Sequence, residues 1–118
     1  MLPNNQFSLS ISTENQLKKL SANTGITRNI LARVAFFRSV EGSFRFDENR
    51  KELQGSLKLG KNNWLGETTI VAELLLKLYY PNLSEHDYVQ AWAAHVEDGL
   101  ASIRNHESLS GLSFALSR

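Results

Sequence analysis

Residues 7–42, FSLSISTENQLKKLSANTGITRNILARVAFFRSVEG, decide the fold. Phe7, Leu9 and Ile11 alternate with Ser8, Ser10 and Ser12, which is the period of a half-buried strand with the serines facing outward. Ser12 or Thr13 then offers a helix cap, and Thr13 with Gln16 has the spacing of a capping box. Leu17, Leu20 and Ala22 mark this short helix. Lys18 and Lys19 lie away from the Leu17/Leu20 face and are expected in solvent. Gly25 stands where a left-handed C-terminal cap belongs. Thr27 caps a second helix that runs over 28–40 and stops near Gly42. Its apolar residues surround nearly the whole circumference, a pattern of buried helices, often at a subunit interface. Arg28, Arg33 and Arg38 recur at steps of five, each turned about 140° from the last, so they form no single basic stripe.

Downstream, residues 43–66 support two readings, short strands or an ordered irregular excursion. Phe44 and Phe46 alternate with polar residues, as do Leu57 and Leu59, and Gly55, Gly60, Asn62, Asn63 and Gly66 argue for turns. A third helix carries Ile70, Val71, Leu74, Leu75 and Leu78, with Glu73 and Lys77 as an i, i+4 pair, and Pro81 stops it. Ser84 caps a fourth helix, with Leu83 and Tyr88 placed as a hydrophobic staple. Its stripe is Val89, Trp92, Val96, Gly99 and Ile103, and Gly99 there permits close approach of another backbone. Glu97 and Asp98 make the opposite face acidic. The tail from Leu109 to Leu116 suits a helix or a strand. The expected fold class is mainly α: about four main helices in one compact domain, residues 1–118, with a short strand-like N-terminal segment and a ribbon–helix–helix-like start.

The 118 residues include 42% hydrophobic and 21% charged side chains, enough to build a core and too apolar for wholesale disorder. There is no cysteine, which excludes a disulfide scaffold, a thiolate metal site and a cysteine nucleophile. No apolar run is long enough to span a bilayer, and the N-terminus lacks the pattern of a secretory signal; a soluble cytoplasmic protein without membrane partners is expected. Charge is unevenly placed. Residues 1–61 hold ten lysines and arginines against five carboxylates, a net +5, and residues 62–118 hold three against seven, a net −4. The basic half either meets a polyanion or pairs with the acidic half, within or between subunits.

Motifs of catalysis are missing. His86, His95 and His106 have no HExxH setting or carboxylate at a ligand spacing, so no metal or other cofactor is expected. No GxSxG occurs, and the serines are scattered, so a serine–histidine–acid triad is not visible in the sequence. Gly60-Lys61 lacks the upstream glycine and the following Ser/Thr of a phosphate loop. Trp64 and Trp92 can stack on bases or fill a core, and the core reading is favoured for both. No carboxylate cluster suited to Mg²⁺ is evident, which argues against a nuclease. The order strand, helix, turn, helix resembles the ribbon–helix–helix plan, but serines read bases poorly. Thr27–Arg28–Asn29, at a helix N-terminus, fits phosphate contact better.

Met1-Leu2-Pro3-Asn4, Leu17-Lys18-Lys19-Leu20, Thr24-Gly25-Ile26-Thr27 and Asn29-Ile30-Leu31-Ala32-Arg33, in that order, resemble the opening of the DndE family of DNA sulfur-modification proteins. Asn63-Trp64-Leu65-Gly66-Glu67 agrees more loosely. The resemblance implies a small helical homotetramer that binds nicked double-stranded DNA. It implies work alongside a cysteine desulfurase, a sulfurtransferase and an ATPase, which together replace a non-bridging phosphate oxygen with sulfur. It carries over no catalytic residue, and lysines on one face are its expected DNA contacts. Lys18, Lys19, Arg28 and Arg33 are therefore the first candidates for phosphate contact, and Lys58 and Lys61 the second. Assembly through the apolar helix over 28–40 would repeat this modest patch. The alternatives are a ribbon–helix–helix transcriptional regulator and a structural adaptor that docks an acidic protein.

Overall fold

The computed structural model describes residues 1–49 and 54–103. In chain order the elements are β1 (Phe7–Ser10), α1 (Ile11–Thr24), α2 (Arg28–Val40), β2 (Gln54–Leu59), α3 (Lys61–Leu65), a 3₁₀ turn (Gly66–Thr68), α4 (Thr69–Tyr79) and α5 (Glu85–Ile103). The architecture is mainly helical, with four main helices and a two-stranded antiparallel sheet, as expected. Arg50, Lys51, His106 and the ambiguous tail lie outside the described residues.

The alternation at the N-terminus does form a strand, but both of its faces are covered. Ser8 and Ser10 are buried along with Phe7 and Leu9. Ser12 belongs to α1, which starts earlier than the spacing predicts because Ser10 is its cap: the Ser10 hydroxyl accepts the Thr13 amide at 3.2 Å. The strand pairs with β2 of the same chain, Phe7 opposite Leu59 and Ser8 opposite Lys58. That pairing overturns the transcriptional-regulator alternative, which needs β1 to pair with β1 of a second copy and to present its outer face to a major groove. Gly25 caps α1 with φ +77°, and its amide bonds to the Ser21 carbonyl at 2.9 Å, as the sequence predicts.

Most of the apolar circumference of α2 is covered inside the protomer by α1, α3 and α5, while Ile30 stays 40% exposed. Leu31, Ala32, Ala35, Phe36 and Val40 are all buried. A helix apolar nearly all round needs cover, and its own chain supplies most of it, with Val34 and Phe37 half-buried. The α2–α5 crossing is tight at Gly99, where an added methyl would land on the Ala35 carbonyl. The stripe on α5 is buried from Val89 through Ile103. Trp64 and Trp92 meet at 5.3 Å between ring centroids, Phe7 stands edge-on to Trp92, and the Trp64 indole N–H donates to the Phe7 carbonyl at 2.9 Å. Both indoles are core groups and neither is available to stack on a base. The predicted cap at Ser84 forms, accepting the Asp87 amide at 3.1 Å.

Candidate nucleic-acid interface

Lys18 and Lys19 are exposed on α1, on the side opposite buried Leu17 and Leu20. Glu14, one turn earlier, points the other way. Its buried carboxylate accepts the Leu57 amide at 3.0 Å and fastens α1 to β2. A side chain at Gly55 would run into this carboxylate and displace it from the Leu57 amide. Lys58 is exposed on β2, two residues beyond Ser56 in the outward register. Arg28 opens α2 and is half-buried. Thr27 makes no side-chain cap bond, so the first-turn amides of α2 keep the N-terminal polarity that favours an anion. The structure thus sets Lys18, Lys19 and Lys58 on two elements locked together by Glu14. None of the three has an ion-pair partner among the described residues.

Two candidates are engaged internally. The Arg33 guanidinium donates from Nε to the Trp64 carbonyl at 2.8 Å and from Nη2 to the Asn63 carbonyl at 3.1 Å, satisfying the open C-terminal end of α3. Asn29 donates to the same Asn63 carbonyl at 3.0 Å. Lys61 stands 3.5 Å from Glu73, and that carboxylate also accepts the Leu2 amide at 3.2 Å. Glu73 therefore turns to Lys61 rather than to Lys77, the partner that helical spacing alone proposes. We predict that Arg33→Met lowers stability by about 1–2 kcal/mol, since it strips the Trp64 carbonyl of its charged donor and leaves the Asn63 carbonyl to Asn29 alone. The chemical-denaturation midpoint checks this. Arg33→Lys should recover little, because an ammonium cannot reproduce the fork; full recovery would show that charge alone matters.

Sequence reasoning missed a buried polar chain. His95 Nδ1 and the Ser39 hydroxyl lie 2.8 Å apart, Ser39 donates to Asp98 at 2.8 Å, and Tyr80 meets His95 Nε2 at 2.8 Å. Tyr80 in turn accepts the Phe46 amide at 2.7 Å. With the Ser39 proton on Asp98, Nδ1 must donate to Ser39 and Nε2 must accept from Tyr80. Serine, histidine and aspartate are thus brought together, but in an order unlike a hydrolytic triad. No base faces the serine proton except Asp98, and the imidazole is closed at both nitrogens. Burial, then the Arg45 guanidinium, lower the His95 pKa from 6.5 to about 4, against the opposing pull of Asp98. Burial raises that of Tyr80. The chain is neutral at its centre and ties α2, α4, α5 and the 41–49 segment together. These partners are distant in sequence, and no local pattern signals them.

Beside it lies a cavity of about 300 Å³ with Arg45, Asp47, Glu97 and Asp98 in its wall, along with Gln54 and Gln90. Three carboxylates against one guanidinium disfavour a phosphate. Among the described residues no group of His, Asp or Glu could hold a metal ion, and no helix is long and apolar enough to cross a membrane.

Comparison with known proteins adds family evidence. The family model described as DNA sulphur modification protein DndE matches residues 6–111. The crystal structure of DndE from Escherichia coli B7A, described as involved in DNA phosphorothioation modification, is similar at 56% identity and a TM-score of 0.83. That match covers 89% of this chain and 99% of that one. A double glycine-to-lysine mutant of DndE, also described as involved in DNA phosphorothioation, is similar at 55% identity and a TM-score of 0.79, covering 86% and 97%. A comparison with curated protein sequences finds no match.

Proposed function

The chain belongs to the DndE family of DNA sulphur modification proteins, and from that premise we propose that it is the non-catalytic, DNA-backbone-binding subunit of a bacterial phosphorothioation complex. The substrate it holds is double-stranded DNA, with a nick as the preferred form. It works in the cytoplasm as a homo-oligomer, a tetramer, beside sulfurtransferase and ATPase partners. The observation that carries this reading is the placement of Lys18, Lys19 and Lys58: exposed, without ion-pair partners among the described residues, and held on α1 and β2 by the buried Glu14. Arg28 extends the same set. Arg33 and Lys61 serve it indirectly, by fixing α3 and the N-terminal arm. A subunit of this kind contributes grip and register on the phosphates and leaves sulfur chemistry to its partners, which suits a chain without cysteine.

Binding should depend steeply on salt and little on sequence. Replacing Lys18 and Lys19 together with alanine is expected to weaken binding to a nicked duplex about tenfold near 0.1 M salt and to flatten the plot of log affinity against log salt. The mass of the assembly should not change. Intact, nicked and single-stranded oligonucleotides at several ionic strengths make the measurement. A double variant that binds as tightly as the parent at every salt concentration would remove α1 from the interface.

A further inference from the structure

The cavity beside the buried polar chain has one face of α5 as its floor. Gln90, Ala93, Ala94, Glu97 and Asp98 line it, at the spacing of one helical face. The two alanines leave room, and the polar side chains around them supply the chemistry. Ser8 and Gln54 of the sheet and the 44–47 segment form the other walls. At about 300 Å³ the space lies at the lower end of small-molecule sites, so its guest is small.

Gln90 points to that guest. It is 8% exposed, its side chain lines the cavity, and its carboxamide has no hydrogen-bond partner among the described residues. A buried amide is costly to leave unpaired, and a cavity guest can satisfy it. The charge of the wall says which guest. Arg45 is the one base among the described wall residues, and its guanidinium is turned to its own segment and to Tyr79. It donates to the Gly42 carbonyl at 3.1 Å and lies 4.0 Å from the centre of the Tyr79 ring. Asp98 gives Oδ2 to Ser39 and Asp47 gives Oδ1 to the Asn49 amide, and each carboxylate keeps acceptor capacity for a guest. Glu97 adds a third negative charge.

A cation answers this balance. Guanidinium has five donors in one plane, matches carboxylate and carboxamide oxygens, and sheds water more readily than an ammonium. Its flat face suits the aromatic side chains of Phe44 and Phe46, which border the space. We infer that this cavity binds an alkylguanidinium cation, whose N–H groups donate to the carboxylates of Asp47 and Asp98 and to the carboxamide oxygen of Gln90. The same chemistry belongs to a free alkylguanidine and to an arginine side chain. The site uses none of Lys18, Lys19 and Lys58, so it stands or falls apart from the DNA reading.

The experiment is isothermal titration calorimetry on the full chain with ethylguanidinium and N-acetyl-arginine amide as probes. N-acetyl-citrulline amide, which is uncharged, and N-acetyl-lysine amide are the controls. At least one guanidinium probe should bind with a Kd below about 1 mM, and both controls at least about tenfold more weakly. Tighter binding of the arginine amide assigns a side-chain guest; equal or tighter binding of ethylguanidinium assigns the free cation. Gln90→Met removes the unpaired amide at nearly constant shape. It should weaken binding about tenfold while the denaturation midpoint does not fall and affinity for a nicked duplex stays unchanged. Asp47→Asn, at an exposed position, should weaken probe binding as well. Failure of both guanidinium probes to bind at that level would overturn the site and leave a cavity that holds water only. Parity of a control with the arginine amide, or an affinity unmoved by Gln90→Met and Asp47→Asn, would overturn it equally, and each of these results leaves the DNA reading to the Lys18/Lys19 variant.

Discussion

Gly99→Val is expected to leave little folded protein. The helices α2 and α5 cross with Gly99 against the Ala35 carbonyl, and even a methyl group would occupy the space of that backbone. Backbone on both sides cannot swing aside as a flexible side chain would. Relief requires the two helices to separate along a contact that includes Phe36, Val96 and Leu100, all fully buried. Overpacking commonly costs about 1–3 kcal/mol, and more where backbone is the obstacle. A loss of at least about 3 kcal/mol is expected here, a large part of the stability of a small domain. Gly99→Ala should fall in the same direction, and Ala101→Val, at an exposed position on α5, should be close to neutral. Denaturation midpoints of the three variants test this; a Gly99→Val protein as stable as the Ala101→Val control would mean that the crossing is looser than described.

Acid is expected to weaken the fold through His95. In the unfolded chain the imidazole takes up a proton near 6.5, whereas in the folded protein it resists until about 4. Between those values the unfolded chain binds more protons, so stability declines as pH falls through that window and the contribution levels off below about 4. The shift corresponds to up to about 3 kcal/mol. The geometry gives the reason. A second ring proton would appear at Nε2, facing a Tyr80 oxygen that already accepts from the Phe46 amide. Phe36 and Phe44 stand edge-on to the ring and offer no solvation. The measurement is the urea midpoint at a series of pH values between 7 and 4, for the wild type and for His95→Gln, whose side chain does not titrate. The variant should show the smaller slope; equal slopes would assign acid sensitivity to other groups.

Features carried by one residue or by neighbours were legible. Gly25 needs a left-handed conformation, Ser84 sits one step before its helix, and Gly99 interrupts an apolar stripe where two backbones meet. Lys18 and Lys19 fall away from Leu17 and Leu20 by helical spacing alone, so their exposure was readable too. What the sequence hid depends on distance along the chain. Nothing near Ser39 announces His95, and nothing near Arg33 announces the carbonyls of Asn63 and Trp64. An arginine destined for phosphate and one destined for a helix end look alike until the fold brings an acceptor within reach. The same limit applies to α2 and α4. Apolar content shows that a helix needs cover; only the packing shows that the protomer covers most of α2 and leaves the outer side of α4 open.

The pairing of β1 with β2 also bears on how the chain matures on the ribosome. Residues 7–10 emerge early, yet the strand that accepts their hydrogen bonds and the indole that binds the Phe7 carbonyl are translated much later. Until then β1 is a strand without its partner, and the backbone groups of residues 7–10 and the side chains of Phe7 and Leu9 lack their later cover. β1 is made before β2 and locks only once β2 is in place, and closing that long loop weighs on the rate at which a new copy becomes competent.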